Sequence, residues 1–346
     1  MKPKHMFFIF FLISNIAQSQ KESRFSIRTI AFYNVENLFD TVNDSLYFDD
    51  EMTPEGNYNW TLDRYKLKIS HIAEVISKIG QSTTRTCPDI IGLCEVENLK
   101  VIKDLVRHPF LRPYDFNIIH YDSPDERGID VALIYKASRF IPVSFSSHRL
   151  LLFNDSDQRD YTRDQLVVCG LLEGEELYII VNHWPSRSGG VARSSPYRKA
   201  AARLNRRIID SLVRLNIDAK IISIGDLNDN PTDNSIKNTL TSSDKENAKS
   251  PALFNPMETL YNEGDGSLAY RDQWSLFDQI LLSKNLINKT RNSYTFWKAG
   301  IYHPSFLQIK TGNYKGYPFR THVAGRYIGG YSDHFPVYAF LIKKVP

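Results

Sequence analysis

Residues 220–228 read Lys220-Ile221-Ile222-Ser223-Ile224-Gly225-Asp226-Leu227-Asn228, a nearly all-apolar run that stops at a glycine, a carboxylate and an amide. An apolar run this short, bounded by turn residues, predicts a strand buried on both faces. Five other stretches share the pattern. Thr29–Tyr33 leads into Asn34 and Glu36, and Asp89-Ile90-Ile91-Gly92-Leu93-Cys94 leads into Glu95. Leu177–Val181 leads into Asn182 and His183, Asp278 stands before Gln279-Ile280-Leu281-Leu282, and Ser332-Asp333-His334 precedes the closing run Phe335–Ile342. Strand ends of an α/β sheet present residues to a ligand crevice, so the six clusters mark one candidate site.

Helical spacing fills the gaps between these runs. Leu62, Tyr65, Ile69, Ile72, Ile76 and Ile79 recur at steps of three and four, with Gly80 as the stop, and predict an amphipathic helix over Thr61–Gly80. Leu99, Ile102, Leu105 and Val106 predict a second helix, and Ala201, Leu204, Ile208, Leu212 and Leu215 a third. Further strands are expected at Phe116–Tyr121, Ile129–Tyr135 and Leu166–Leu172. Helices interleaved with short apolar strands make a layered α/β domain. Residues 241–273 and 298–330 show no steady period and read as long surface loops.

The composition agrees. Of 346 residues 42% are hydrophobic and 24% charged, with 17 Gly and 16 Pro, which excludes a disordered chain, a fibre and a multispan membrane protein. Residues 1–19, MKPKHMFFIFFLISNIAQS, have the basic start, short apolar run and small-residue end of a secretory leader, so an exported protein is expected, with one domain over 20–346. The net charge of +4 includes Lys2 and Lys4 of that leader, leaving about +2, too little to coat nucleic acid by bulk charge. The odd cysteine count, with Cys94 and Cys169 in apolar runs and Cys87 apart, predicts buried free thiols rather than a disulfide framework or a zinc site.

Taken in order, Phe32-Tyr33-Asn34-Val35-Glu36-Asn37, Ile91-Gly92-Leu93-Cys94-Glu95, Val181-Asn182-His183, Gly225-Asp226-Leu227-Asn228, Asp278-Gln279-Ile280-Leu281-Leu282-Ser283 and Ser332-Asp333-His334-Phe335-Pro336-Val337 resemble the motifs of the endonuclease/exonuclease/phosphatase superfamily of metal-dependent phosphoesterases. The resemblance runs from about residue 28 to 342 and rests on the ordered set, since each motif alone is common. It implies a four-layer α/β/β/α sandwich, two packed mixed β-sheets flanked by helices. It also implies that Asp278 pairs with His334 and that His183 donates to the phosphate in the transition state.

The chemistry of the residues fits. Cleaving a phosphodiester requires charge stabilisation on phosphoryl oxygens, an activated water and neutralisation of the leaving oxygen, which a hard cation on oxygen ligands supplies. Glu95 with the amide of Asn34 makes a sparse site suited to Mg2+ or Mn2+, with Ca2+ as a further candidate, and Asp333 is within reach of the same ion. His334 is the candidate base or proton carrier, because imidazole titrates near neutrality. Asp226 and Asn228, two apart, face one side of an extended segment, where a carboxylate orients water and an amide binds phosphoryl oxygen. The alternative for Asp226–Pro231 is a mere turn, since Asn, Asp and Pro form turns, and both readings hold together if the turn presents this pair.

Arg127, Arg163 and Arg187 are candidate phosphate contacts, against a base expectation of solvated surface arginine. Trp184, Phe296, Trp297, Tyr302, Tyr314, Tyr317 and Tyr327 are candidates to stack on bases, or else pack within loops. The expected activity is that of an exported nuclease with nucleic acid as substrate, acting as a monomer without a stable protein partner. A phosphatase or phospholipase C-like enzyme on inositol-phosphate or sphingomyelin-type substrates is the alternative, and a non-catalytic binding relative the remote one.

Overall fold

The computed structural model describes residues 24–247, 251–288 and 292–345. The leader expected at residues 1–19 lies outside them.

The chain lays down most of one sheet, then a second, and returns to the first. The opening strands are β1 (Arg24–Leu38), β2 (Ile90–Val96), β3 (Phe116–His120) and β4 (Asp130–Lys136). The second sheet follows with β5 (Phe140–His148), β6 (Gln165–Leu172), β7 (Glu175–His183), β8 (Ile221–Asp226), the two-residue β9 (Ser242–Ser243) and β10 (Leu253–Phe254), and β11 (Asp278–Leu282). β12 (Thr295–Ile301) and β13 (Val337–Val345) complete the first. The strand orders are β12-β13-β1-β2-β4-β3 and β9-β10-β11-β8-β7-β6-β5. Each sheet carries a parallel central pair, β1 with β2 and β7 with β8, flanked by antiparallel neighbours, and the second adds a short parallel contact of β9 with β10 at its edge.

Central strands are apolar on both faces because both are covered. Ile30, Phe32 and Leu133 of the first sheet face Val181, Ile224 and Ile280 of the second in a shared core. The sheets touch closely at Gly92, where a Cβ would lie 2.7 Å from Ile224 Cδ1. On the outer face of the first sheet, Ala31, Tyr33, Ile91 and Leu93 pack beneath helices α1 (Leu62–Lys78) and α2 (Leu99–Arg107). On the outer face of the second, Ile180, Ile221 and Leu281 pack beneath α3 (Val191–Leu215). The result is the expected α/β/β/α sandwich, and Cys87, Cys94 and Cys169 are buried and unpaired.

Local sequence sets the helix ends. Thr61 caps α1 through the N–H of Arg64, and Gly80 beyond its end adopts φ 71°. The side chain of Asn98 accepts the N–H groups of Lys100 and Val101 at the start of α2.

Two elements exceed the sequence expectation. Helix α3 begins at Val191 rather than Ala201, because its first turns are polar and small and carry no apolar period. Strand β5 contains Pro142, which masks it in the sequence and which an edge strand tolerates. The segment 241–273 is not wholly loop: it holds β10, a short helix at Met257–Asn262 and a strand Leu268–Tyr270 paired with Gln273–Ser275.

Candidate active site

Strand register assembles half of the site. Asp226, the last residue of β8, is the direct partner of His183 on β7 and of Asp278 on β11. Residues paired in this way project from the same sheet face, so the three converge at one sheet end.

The first sheet supplies the other half through irregular backbone. Asn34 pairs with Cys94, after which the register shifts, and Glu36, Asn37 and Glu95 take φ of 49°, 51° and 59°. Asn228 beside Asp226 has φ 49°. Non-glycine residues in the left-handed region are uncommon, and four in one cluster is strain of the kind that functional sites hold.

The side chains then interlock. Asn34 Nδ2 donates to Asp226 Oδ2 at 3.0 Å and reaches Glu95 Oε1 at 3.4 Å, bridging the two sheets. Glu95 Oε2 accepts the N–H of Asn37 at 3.0 Å. His183 Nε2 lies 3.7 Å from Glu95 and 3.8 Å from Asp226. His334 Nδ1 is 2.6 Å from Asp278 Oδ2, and its Nε2 is 3.9 Å from Asp226 Oδ2. Asp278 is fully buried and also accepts the hydroxyl of Ser267.

Burial and charge set the protonation states. Burial pushes Asp226 up to about 7, with the His334 charge opposing and Asp278 adding to the rise. Burial disfavours charge on His334, but Asp278 and Asp226 outweigh it and hold the imidazole well above its ordinary value. Burial, with the charges of Arg163, Arg127 and His334, takes His183 well below its ordinary value, so this ring is neutral. The site therefore combines a carboxylate poised near neutrality, an imidazolium and a neutral imidazole.

Asn34, Glu95, His183, Asp226, Asp278 and His334 thus meet as the sequence predicts, while several finer assignments change. The side-chain Oδ1 of Asn34 accepts the N–H of Glu36 at 2.9 Å and its Nδ2 faces two carboxylates, so the amide positions them. Asn228 donates its N–H to Asp226 Oδ1 and its side-chain amide to the Trp184 carbonyl, each at 3.0 Å. Asp333 accepts from Arg320 Nη2 at 2.9 Å.

The three arginines differ. Arg163 is buried on Asp125 and the Trp184 carbonyl, both at 2.8 Å, and acts beneath the site through its charge. Arg187 donates to the Asn228 carbonyl, Asp229 and Asp233, bracing the loop after β8. Only Arg127 is half exposed, 3.8 Å from Asp125. Of the candidate stacking aromatics, Trp184 is buried and Tyr327 packs on Trp60 and His322, whereas Trp297 and Tyr314 are exposed.

Several contributors were not anticipated. Lys68 is buried and donates to Thr321 Oγ1 and the Tyr331 carbonyl, with Glu36 at 3.7 Å. Its signal was its place on the apolar face of α1, three residues after Tyr65 and four before Ile72. Arg198 is fully buried, with Nε 2.7 Å from Asp229. It shares a helical row with Ser194, Ala201, Asn205 and Ile208, all of them buried.

The donor set fits a hard cation. Cys94 is held as a thiol by burial and by the charges of Asp226 and Glu95, and Asp278 and His334 are engaged with each other. What remains is carboxylate oxygen, Glu95 and Asp226 on either side of the Asn34 amide, which suits a magnesium-like ion rather than a soft one.

The sequence profile of the Endonuclease/Exonuclease/phosphatase family matches residues 29–343. No curated protein sequence matches. Among solved structures, an endonuclease/exonuclease/phosphatase family protein from Bacteroides thetaiotaomicron is 18% identical with TM-score 0.56, covering 93% of this chain and 100% of that one. TDP2 from D. rerio, complexed with a single-strand DNA product, is 16% identical with TM-score 0.54, covering 91% and 99%. A mannosyl-6-phosphatase from Bacteroides thetaiotaomicron is 17% identical with TM-score 0.53, covering 91% and 99%. At these identities the likeness is one of fold.

Proposed function

The chain belongs to the endonuclease/exonuclease/phosphatase family, whose members are metal-dependent phosphoester hydrolases, and from that premise we propose that it is an exported phosphodiesterase acting on DNA or RNA. The observation that carries the reading is the line Asp278–His334–Asp226, an imidazole hydrogen-bonded to one buried carboxylate and facing a second. Export rests on the leader-like residues 1–19.

In this mechanism Glu95 holds Mg2+ or Mn2+, which when bound supplies positive charge to the phosphoryl and leaving oxygens. Asp226, 3.9 Å from His334 Nε2 and hydrogen-bonded by Asn34, takes a proton from the attacking water. His334, charged through Asp278, donates from Nε2 to the phosphate, and the two carboxylates near His183 Nε2 favour a proton there, giving a second donor. Asn34 keeps Glu95 and Asp226 in mutual register.

A phosphomonoesterase acting on a small substrate is the second reading. It is favoured by the shared fold with a mannosyl-6-phosphatase, 17% identical with TM-score 0.53. Incubating residues 20–346 with plasmid DNA, RNA and phosphomonoesters, with and without chelator, tests the two. Nucleic-acid cleavage that chelator abolishes is expected. Hydrolysis of monoesters alone overturns the nuclease reading, and full activity in chelator overturns the metal.

A further inference from the structure

A cavity of about 200 Å³ lies between the bend at Glu36 and Asn37 and the turn Arg320–Gly325, with Tyr58 and His322 among its walls. It adjoins the catalytic groups on two sides. Asn37 donates its N–H to Glu95 Oε2 at 3.0 Å, and Arg320 joins Asp333 at 2.9 Å, next to His334. We propose that this cavity is the subsite for the hydroxylated ring that carries the scissile phosphate, and that Arg320 contacts that substrate's phosphate.

Size and chemistry select the occupant. The volume is below the ~300–1,000 Å³ of ordinary ligand pockets, so one ring enters and a chain does not. Tyr58 and His322 pack edge to face, with centroids 4.8 Å apart and planes at 65°, and offer no parallel slot for a flat base. An amide, a phenol, an imidazole and a guanidinium around the space suit hydroxyl groups.

Arg320 is built for the contact. Its side chain is 44% exposed, Nη2 is engaged by Asp333, Nε reaches Glu36 at 3.4 Å, and among the described residues Nη1 donates to nothing. The guanidinium is thus held in place by two carboxylates, with Nη1 left to donate to a phosphate oxygen. The turn is fixed by the Thr321 N–H on Glu36 at 2.6 Å, so the contact needs no ordering of a loose loop.

The inference rests on the phosphoesterase reading, and the test separates the two. Hydrolysis of thymidine 5′-phosphate p-nitrophenyl ester, which carries a sugar, is compared with bis(p-nitrophenyl) phosphate, which does not. Tyr58→Ala should raise KM for the first about tenfold with kcat nearly unchanged and leave the second within about twofold, whereas Arg320→Ala, whose contact is the phosphate common to both, should raise KM for both about tenfold, with partial rescue in Arg320→Lys. An equal effect of Tyr58→Ala on both substrates, or none from either variant, overturns the subsite. Calorimetric titration with ribose 5-phosphate and mannose 6-phosphate distinguishes a nucleotide from a hexose source and is independent of turnover. Binding of either that Tyr58→Ala weakens supports the subsite even if neither ester is hydrolysed, an outcome that would count against the phosphodiesterase reading alone. Binding that Tyr58→Ala leaves intact overturns the subsite.

Discussion

Asp226 and Asp278 are direct partners across antiparallel strands, two buried carboxyl groups on one sheet face with His334 set between them. Two such groups cannot both ionise cheaply in a dry site, and the imidazolium relieves the conflict. The histidine therefore holds together an arrangement that its own removal would undo.

If the three act as a unit, His334→Ala and Asp278→Asn should each lower kcat by a similar factor, about 10²–10⁴, and the double variant should be little worse than the poorer single. Single-turnover rates measure this. Additive losses in log kcat would reassign Asp278 to a structural role.

The strand-end clusters were legible in sequence because each catalytic residue directly follows or precedes an apolar run, and the pairing of β7, β8 and β11 does the rest. Arg320 was not, since its position arises when the Arg320–Gly325 turn docks on Glu36, 285 residues away in sequence. Arg163 and Arg187 misled for the opposite reason. Sequence shows an arginine near a motif but not the carboxylates, Asp125 and Asp233, that take up its donors inside the fold.

Glu95→Gln should weaken metal binding and lower activity at limiting Mg2+, with partial recovery at high Mn2+, because an amide is a poorer ligand for a hard cation. Titrating activity against metal concentration reads the shift in the half-saturating value. A loss that no metal concentration relieves would place Glu95 in the chemistry instead.

Arg198 and Asp229 form a fully desolvated pair that ties α3 to the loop carrying Asp226 and Asn228. Arg198→Met should cost roughly 3 kcal/mol by leaving the carboxylate undercompensated, and adding Asp229→Asn should return part of it. Urea denaturation of the two single variants and the double measures the coupling, and strictly additive losses would show that the pair is not a unit.

Burial alone would raise the Glu175 carboxyl, but Lys220 at 2.6 Å, Lys343 at 2.7 Å, Ser293 and the Tyr294 N–H hold it down to about 2. A carboxyl depressed in the folded state stabilises above its unfolded value, and that stability drains away as pH falls through the folded one. Glu175→Gln should cost roughly 1 kcal/mol at pH 7, discounted for partial solvation, and almost nothing near pH 2. Thermal melts across that range check the sign.

Glu95 rides on one sheet and Asp226 on the other, with the Asn34 amide as their bridge. The layers themselves are held by side-chain packing, tightest where Gly92 lets Ile224 in. The site is therefore a vernier between two plates: a slip of 1 Å leaves every strand intact yet can lower the rate about a hundredfold. Catalytic output reads the alignment of the plates, and an added methyl at Gly92 would detune the instrument from its far side without touching a catalytic atom.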